Sequence, residues 1–128
     1  MQVLYTAALT LALCATSVLA TTDKYRLIWN SAPESSITVA WCQKDGENAR
    51  VHYGAANGKN KELPQSHGID HETSYLKIEN RFARITGLKA DTLYDFVIRD
   101  SNSESRRFSF KTAPEGAADF AFAAGGDS

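Results

Sequence analysis

Four groups of residues in this chain are of types and spacings that could do chemistry. Near the end, Ala124-Gly125-Gly126-Asp127-Ser128 sets one carboxylate behind two glycines. Glycines permit a tight turn and close approach of another group. A carboxylate at the carboxyl end of a strand stands where open α/β sheets place their ligands, and it suits a hard or borderline metal ion. His67-Gly68-Ile69-Asp70-His71-Glu72 could gather two imidazoles and two carboxylates. Gly68 and the nearby Pro64 oppose the helix that would put both histidines on one face, so solvated loop residues are expected there. Arg99, Arg106, Arg107 and Lys111 could attract an acidic partner. Asp95, Asp100 and Glu104 offset them, and the solvent face of a strand is the expectation. Cys42, beside Trp41 in a strand-like run, reads as a packed small hydrophobe rather than a nucleophile.

The elements that must carry these groups follow from composition and periodicity. The chain has 128 residues, 14 Lys or Arg against 15 Asp or Glu, a net charge of −1, and 43% hydrophobic residues. That is one ordinary globular domain with additions, too apolar for a disordered chain. No basic surplus exists to neutralise phosphates, so no nucleic-acid partner is expected. Residues 1–20 hold no charged side chain, run apolar through Ala7-Ala8-Leu9-Thr10-Leu11-Ala12-Leu13-Cys14, and turn polar at Thr21-Thr22-Asp23-Lys24. This reads as a secretory signal peptide, with Val18 and Ala20 at −3 and −1 of the cleavage site. A retained membrane anchor is the rival reading, and the stretch is marginal for a span of about 20 residues. Cleavage after Ala20 would leave Cys42 as the mature thiol and place the chain outside the cytoplasm, secreted or periplasmic, with no stable membrane span.

From Tyr25 onward apolar residues recur at spacing two between turn clusters, the pattern of an antiparallel sandwich. Strands are expected at 25–29, 37–42, 50–53, 75–78, 81–85, 92–99 and 106–111, with 54–68 a long polar loop or ragged edge strand. Ile37, Val39 and Trp41 should face the core. Seven strands in about 90 residues match an immunoglobulin-like or fibronectin type III-like fold. Leu88 lies six residues before Tyr94 across a turn, the spacing of a tyrosine corner, in which the buried ring's hydroxyl reaches back to a backbone group. Ala90 stands where such domains usually carry proline, so this turn should be less rigid. Residues 113–118 read as a linker. Asp119-Phe120-Ala121-Phe122-Ala123-Ala124 then looks like a strand covered on both faces, as in parallel α/β sheets. Alone it would expose Phe120 and Phe122, so the chain looks truncated just after entering a second domain.

The runs Arg81-Phe82-Ala83-Arg84-Ile85-Thr86-Gly87-Leu88, Tyr94-Asp95-Phe96-Val97-Ile98-Arg99-Asp100-Ser101 and Arg106-Arg107-Phe108-Ser109-Phe110-Lys111-Thr112-Ala113-Pro114, with the Gly125-Gly126-Asp127 ending, resemble the N-terminal part of secreted purple acid phosphatase-like metallophosphoesterases. The resemblance runs from about Tyr25 to Ser128; Ala90 and the long polar loop depart from it. It implies a fibronectin type III-like domain at 24–112 and, at 119–128, the first strand and first metal motif of a calcineurin-like α/β catalytic domain. It implies that Asp127 ligates one ion of a dinuclear centre, Fe with Fe, Zn or Mn, in the full-length protein. Such a pair supplies a hydroxide nucleophile for hydrolysis of a phosphate ester, the acid phosphatase reaction. Further ligands are missing, so these residues alone should have no catalytic group and no activity. Their partner would be the missing catalytic domain in cis, and Phe82, turned away from the Ala83/Ile85 face, is a candidate contact with it. A free-standing secreted binding or adhesion module is the alternative, since this fold serves many functions.

Overall fold

A computed structural model of the chain describes residues 19–56 and 62–116. Among them are eight strands and no helix: β1 (Thr22–Ile28), β2 (Ile37–Gln43), β3 (Arg50–Ala55), β4 (Gln65–His67), β5 (His71–Tyr75), β6 (Ile78–Ile85), β7 (Leu93–Arg99) and β8 (Phe108–Lys111). They form two antiparallel four-stranded sheets, ordered β1-β2-β6-β5 and β4-β3-β7-β8. The expected all-β sandwich is present, with eight strands among the described residues where seven were expected.

Alternation builds the core. Ile37, Val39 and Trp41 of β2, with Ala83 and Ile85 of β6, meet Val51 of β3, Phe96 and Ile98 of β7 and Phe110 of β8 in one buried cluster. Trp41 has no exposed surface, and its indole N–H donates to Gln43 Oε1 at 2.7 Å. The largest ring of the core therefore leaves no polar atom unpaired. β2 is also buried on its second face, at Thr38, Ala40 and Cys42. It lies between β1 and β6, and above it Arg26 Nη2 of β1 donates to Asn80 Oδ1 of β6 at 2.8 Å. Cys42 is a buried free thiol, 3.6 Å from the same Asn80 oxygen, as its packed reading expected.

The tyrosine corner is formed. Tyr94 is buried, its ring stacks on Phe110 at 5.5 Å, and its hydroxyl oxygen accepts the Lys89 N–H at 2.9 Å. Thr112 does part of what a proline would do near Ala90. Its hydroxyl donates to Lys89 O at 2.6 Å and accepts the Thr92 N–H at 2.9 Å, which ties both ends of the turn to the chain leaving β8.

Three expectations about strand limits are corrected. Residues 75–78 are the tip of the β5–β6 hairpin: Tyr75 pairs with Ile78, and Leu76 and Lys77 have φ of 47° and 65°. Positive φ at both central residues is a type I′ turn, whose twist matches its flanking strands. The exposed polar run His71–Tyr75 is a strand because β6 offers it an edge. The first strand begins at Thr22, before Tyr25, since a register shift between Asp23 and Arg26 breaks the alternation there.

Candidate functional site

The two histidines part company. β4 lies in one sheet and β5 in the other, so the chain crosses the sandwich between His67 and His71. His67 Nε2 lies 2.7 Å from Asp70 Oδ2, and the same oxygen accepts the Arg84 N–H at 2.7 Å. Asp70 thereby links β4 to β6. Burial pushes its carboxyl up, but the Arg84 N–H, His67 and the Arg84 charge outweigh that and hold it below the ordinary carboxylate value. The His71 ring instead lies 5.7 Å from Phe82. Of the expectation of solvated loop residues only the loop is corrected: His71 is exposed and His67 partly buried, but both sit on short edge strands, because pairing with β3 and β6 satisfies a backbone that sequence polarity alone would leave to water.

Among the described residues no group of three or more His, Cys, Asp or Glu is placed to hold a metal ion. They do not fit the dinuclear centre that the resemblance implies. Asp127, with Gly125 and Gly126, lies outside the described residues.

The basic group is closed by local partners. Arg99 places Nη2 2.6 Å from Glu104 Oε2, Lys111 meets Asp91 at 2.9 Å, and Arg107 meets Asp95 at 3.4 Å. The Arg106 guanidinium covers the Phe108 ring at 4.8 Å. Paired exposed charges of this kind give no concentrated positive field. Asp100 is not part of the set; it turns toward Thr21.

A cleft of about 240 Å³ opens where β2 ends, lined by Gln43, Asn48, Ala49, Ile69, Glu72 and Arg81. Its cation is already engaged, since Arg81 Nη1 lies 3.2 Å from both Glu72 and Glu79. The Ser74 hydroxyl first, and Arg81 after it, hold the Glu79 carboxyl below its ordinary value. The outer face of β1-β2-β6-β5 instead carries apolar side chains. Phe82 is half-buried there against His71, and register brings exposed Tyr75 beside Ile78 on the same face. Sequence parity marked Phe82 alone. Tyr75 and Ile78 were hidden because the hairpin that aligns them reads as a strand.

Comparison with known proteins sets this fold in context. No curated protein matches the chain. A similar solved structure is that of Astrotactin-2, described as a conserved vertebrate-specific and perforin-like membrane protein involved in neuronal development; identity is 11% and the TM-score 0.57. The match covers 70% of this chain and only 21% of that one, and at such identity it concerns the fold alone. Residues 22–112 match the family described as the purple acid phosphatase N-terminal domain. The matched segment begins with β1 and ends one residue beyond β8, so it takes in both sheets. The chain belongs to the purple acid phosphatase N-terminal domain family.

Proposed function

We propose that this chain is the N-terminal module, with the opening strand of the catalytic domain, of a secreted metal-dependent phosphoesterase acting on phosphate esters. The observation that carries this reading is the family match across the whole double sheet, residues 22–112. In it residues 1–20 are a leader removed after Ala20, 113–118 are a linker, and 119–128 begin the catalytic domain with Asp127 as a metal ligand. The module's part is mechanical. A sandwich closed by a continuous core is a stiff body, and the Phe82-bearing face packs against the catalytic domain and shapes the approach to its site.

Reading the gene beyond codon 128 tests this directly. A continuing frame of some hundreds of codons with further Asp, Asn and His metal motifs is expected, and a natural stop codon there overturns the enzyme reading. Activity tests the division of labour. The purified 128-residue product should leave p-nitrophenyl phosphate intact with Fe, Zn or Mn added. Turnover well above a metal-only control overturns the assignment of catalysis to the missing domain.

A further inference from the structure

Burial begins abruptly at one peptide bond. Leu19 is 83% exposed and Ala20 is exposed, whereas Thr21 is 5% and Thr22 3% exposed. Thr21 is held from every side. Its carbonyl oxygen accepts the Lys44 N–H at 2.8 Å, its hydroxyl donates to Asp100 Oδ2 at 2.6 Å and meets the Ser103 hydroxyl, and its backbone N–H donates to Ser103 Oγ at 3.4 Å.

The receiving pocket is itself built. Asp100 Oδ1 accepts the Asn102 and Ser103 N–H groups, both at 2.8 Å, while Oδ2 also accepts Gln43 Nε2 at 2.8 Å. Gln43 in turn takes the Trp41 indole proton, so the carboxylate is anchored to the centre of the core. Gly46, at φ 81°, approaches so closely that a Cβ would stand 2.6 Å from Asp100 Cγ. Burial pushes the Asp100 carboxyl up, and the Thr21 hydroxyl, the Asn102 and Ser103 N–H groups and Gln43 more than offset it, keeping it charged well into the acid range. Nearby, Lys44 is taken by Asp23 at 2.6 Å, and Asp45 accepts Asn102 Nδ2 at 3.2 Å. Of the charged side chains in these contacts three are carboxylates, Asp23, Asp45 and Asp100, and one is an ammonium, Lys44.

We propose that Asp100 and Ser103 are a receptor for the α-ammonium of Thr21, created when the Ala20–Thr21 bond is hydrolysed. The proposal rests on the secreted reading above. The step consumes water and is performed by a processing endopeptidase. The Ala20 C–N bond breaks, the water oxygen joins the Ala20 carbonyl carbon to give a carboxylate, and the released Thr21 amine carries a proton at neutral pH. The new end then seats on the hydroxyl and carboxylate that already surround Thr21, and its charge answers the local excess of carboxylates. Removing the leader adds a charge at a corner where the start of β1 already meets the turn after β7. Capture of a terminal amine by such an oriented polar pocket is a known mode of recognition.

Two measurements test it. The protein is produced with its leader in a secreting host and the amino terminus of the product is sequenced. A start at Thr21 is expected, and any other start overturns both the processing step and the proposal. Chains beginning at Thr21 and at Ala20, each released from a fusion partner, are then acylated at pH 7 with an N-hydroxysuccinimide ester. The Thr21 amine should react about tenfold more slowly than the Ala20 amine, the effect of a one-unit rise in its pKa. Asp100→Asn in the Thr21 chain should remove most of that protection. Equal rates for the two chains overturn the receptor while leaving secretion intact. Where Asp100→Asn fails to fold, the Ala20 comparison decides, because it displaces the amine without touching Asp100.

Discussion

On the outer face of β4-β3-β7-β8 the charges settle one another: Asp95 accepts the Ser109 hydroxyl at 2.6 Å and pairs with Arg107, while Arg99 pairs with Glu104. On the outer face of β1-β2-β6-β5 the central row is Thr38, Ala40 and Cys42, crossed by the Arg26–Asn80 bridge, and toward the β5 edge come Phe82, Ile78 and Tyr75. Both sheets bury the same kind of inward residue. They differ in what they leave outside. Side chains paired among themselves need no further cover, whereas apolar groups left together on one face lower the free energy when another body removes them from water. The two outer faces thus differ in make-up: the first is mainly self-paired charge, with Leu93 exposed at its edge, and the second carries Phe82, Ile78 and Tyr75 together.

The comparison holds only if the two inner faces are equivalent. Trp41→Ala on one sheet and Phe96→Ala on the other should each cost about 3–5 kcal/mol, since both rings are fully buried in the core. The midpoint of chemical denaturation reads this. A loss below about 1 kcal/mol from either variant breaks the symmetry and places the core in one sheet.

A smaller effect is expected where the sheets are tied. Asp70→Asn keeps the shape but weakens the contacts to His67 and to the Arg84 N–H, and half of the Asp70 side chain is exposed. After allowance for solvent screening the cost at pH 7 should be about 1 kcal/mol. Its pH dependence has a definite sign. A carboxyl held below its unfolded value of about 3.9 stabilises the fold above that pH, and the contribution is lost as pH falls through the lower folded value. Wild type and variant should therefore converge in stability below about pH 4. A gap that persists unchanged to pH 2 assigns the effect to shape rather than charge.

The hairpin that puts Tyr75 beside Ile78 offers an effect of opposite sign. Leu76 and Lys77 occupy left-handed positions that favour Asn and Gly. Leu76→Asn combined with Lys77→Gly should stabilise the protein by about 0.5–1 kcal/mol, read as a higher denaturation midpoint. Destabilisation would mean that the exposed Leu76 side chain, not the turn, holds that edge.

This same turn marks where sequence reading stops. Strands with a strict apolar row, such as Ile37-Val39-Trp41 and Phe108-Phe110, were legible because burial on one face imposes period two. The Leu88–Tyr94 corner was legible because its spacing fixes a hydrogen bond. Tyr75-Leu76-Lys77-Ile78 shows strand-like composition while making a turn, since pairing partners decide the backbone there and not side-chain type. His67 and His71 looked like a pair because distance along the chain says nothing about which sheet each joins. The Asp100 pocket was invisible for a related reason: Thr21 and Asp100 lie 79 residues apart, and only the closed sandwich brings them together.

The least effect on stability, and the finest test of the self-paired sheet, comes from Arg99→Gln. Arg99 and Glu104 are each about half exposed, so loss of the pair should cost less than about 0.5 kcal/mol. The variant should still be felt next door. His52 is held below the ordinary imidazole value first by burial and then by the Arg99 and Arg50 charges. Its share of stability is therefore present above the unfolded pKa of about 6.5 and declines as pH falls below it. Removing the Arg99 charge should move the His52 titration upward, short of the ordinary value because burial remains, and should lessen the stability lost between about pH 6.5 and 5. Proton NMR of the imidazole reads the shift directly. An unmoved His52 would show that burial alone sets its titration, and that the charges on this face are screened from one another by water rather than joined in a network.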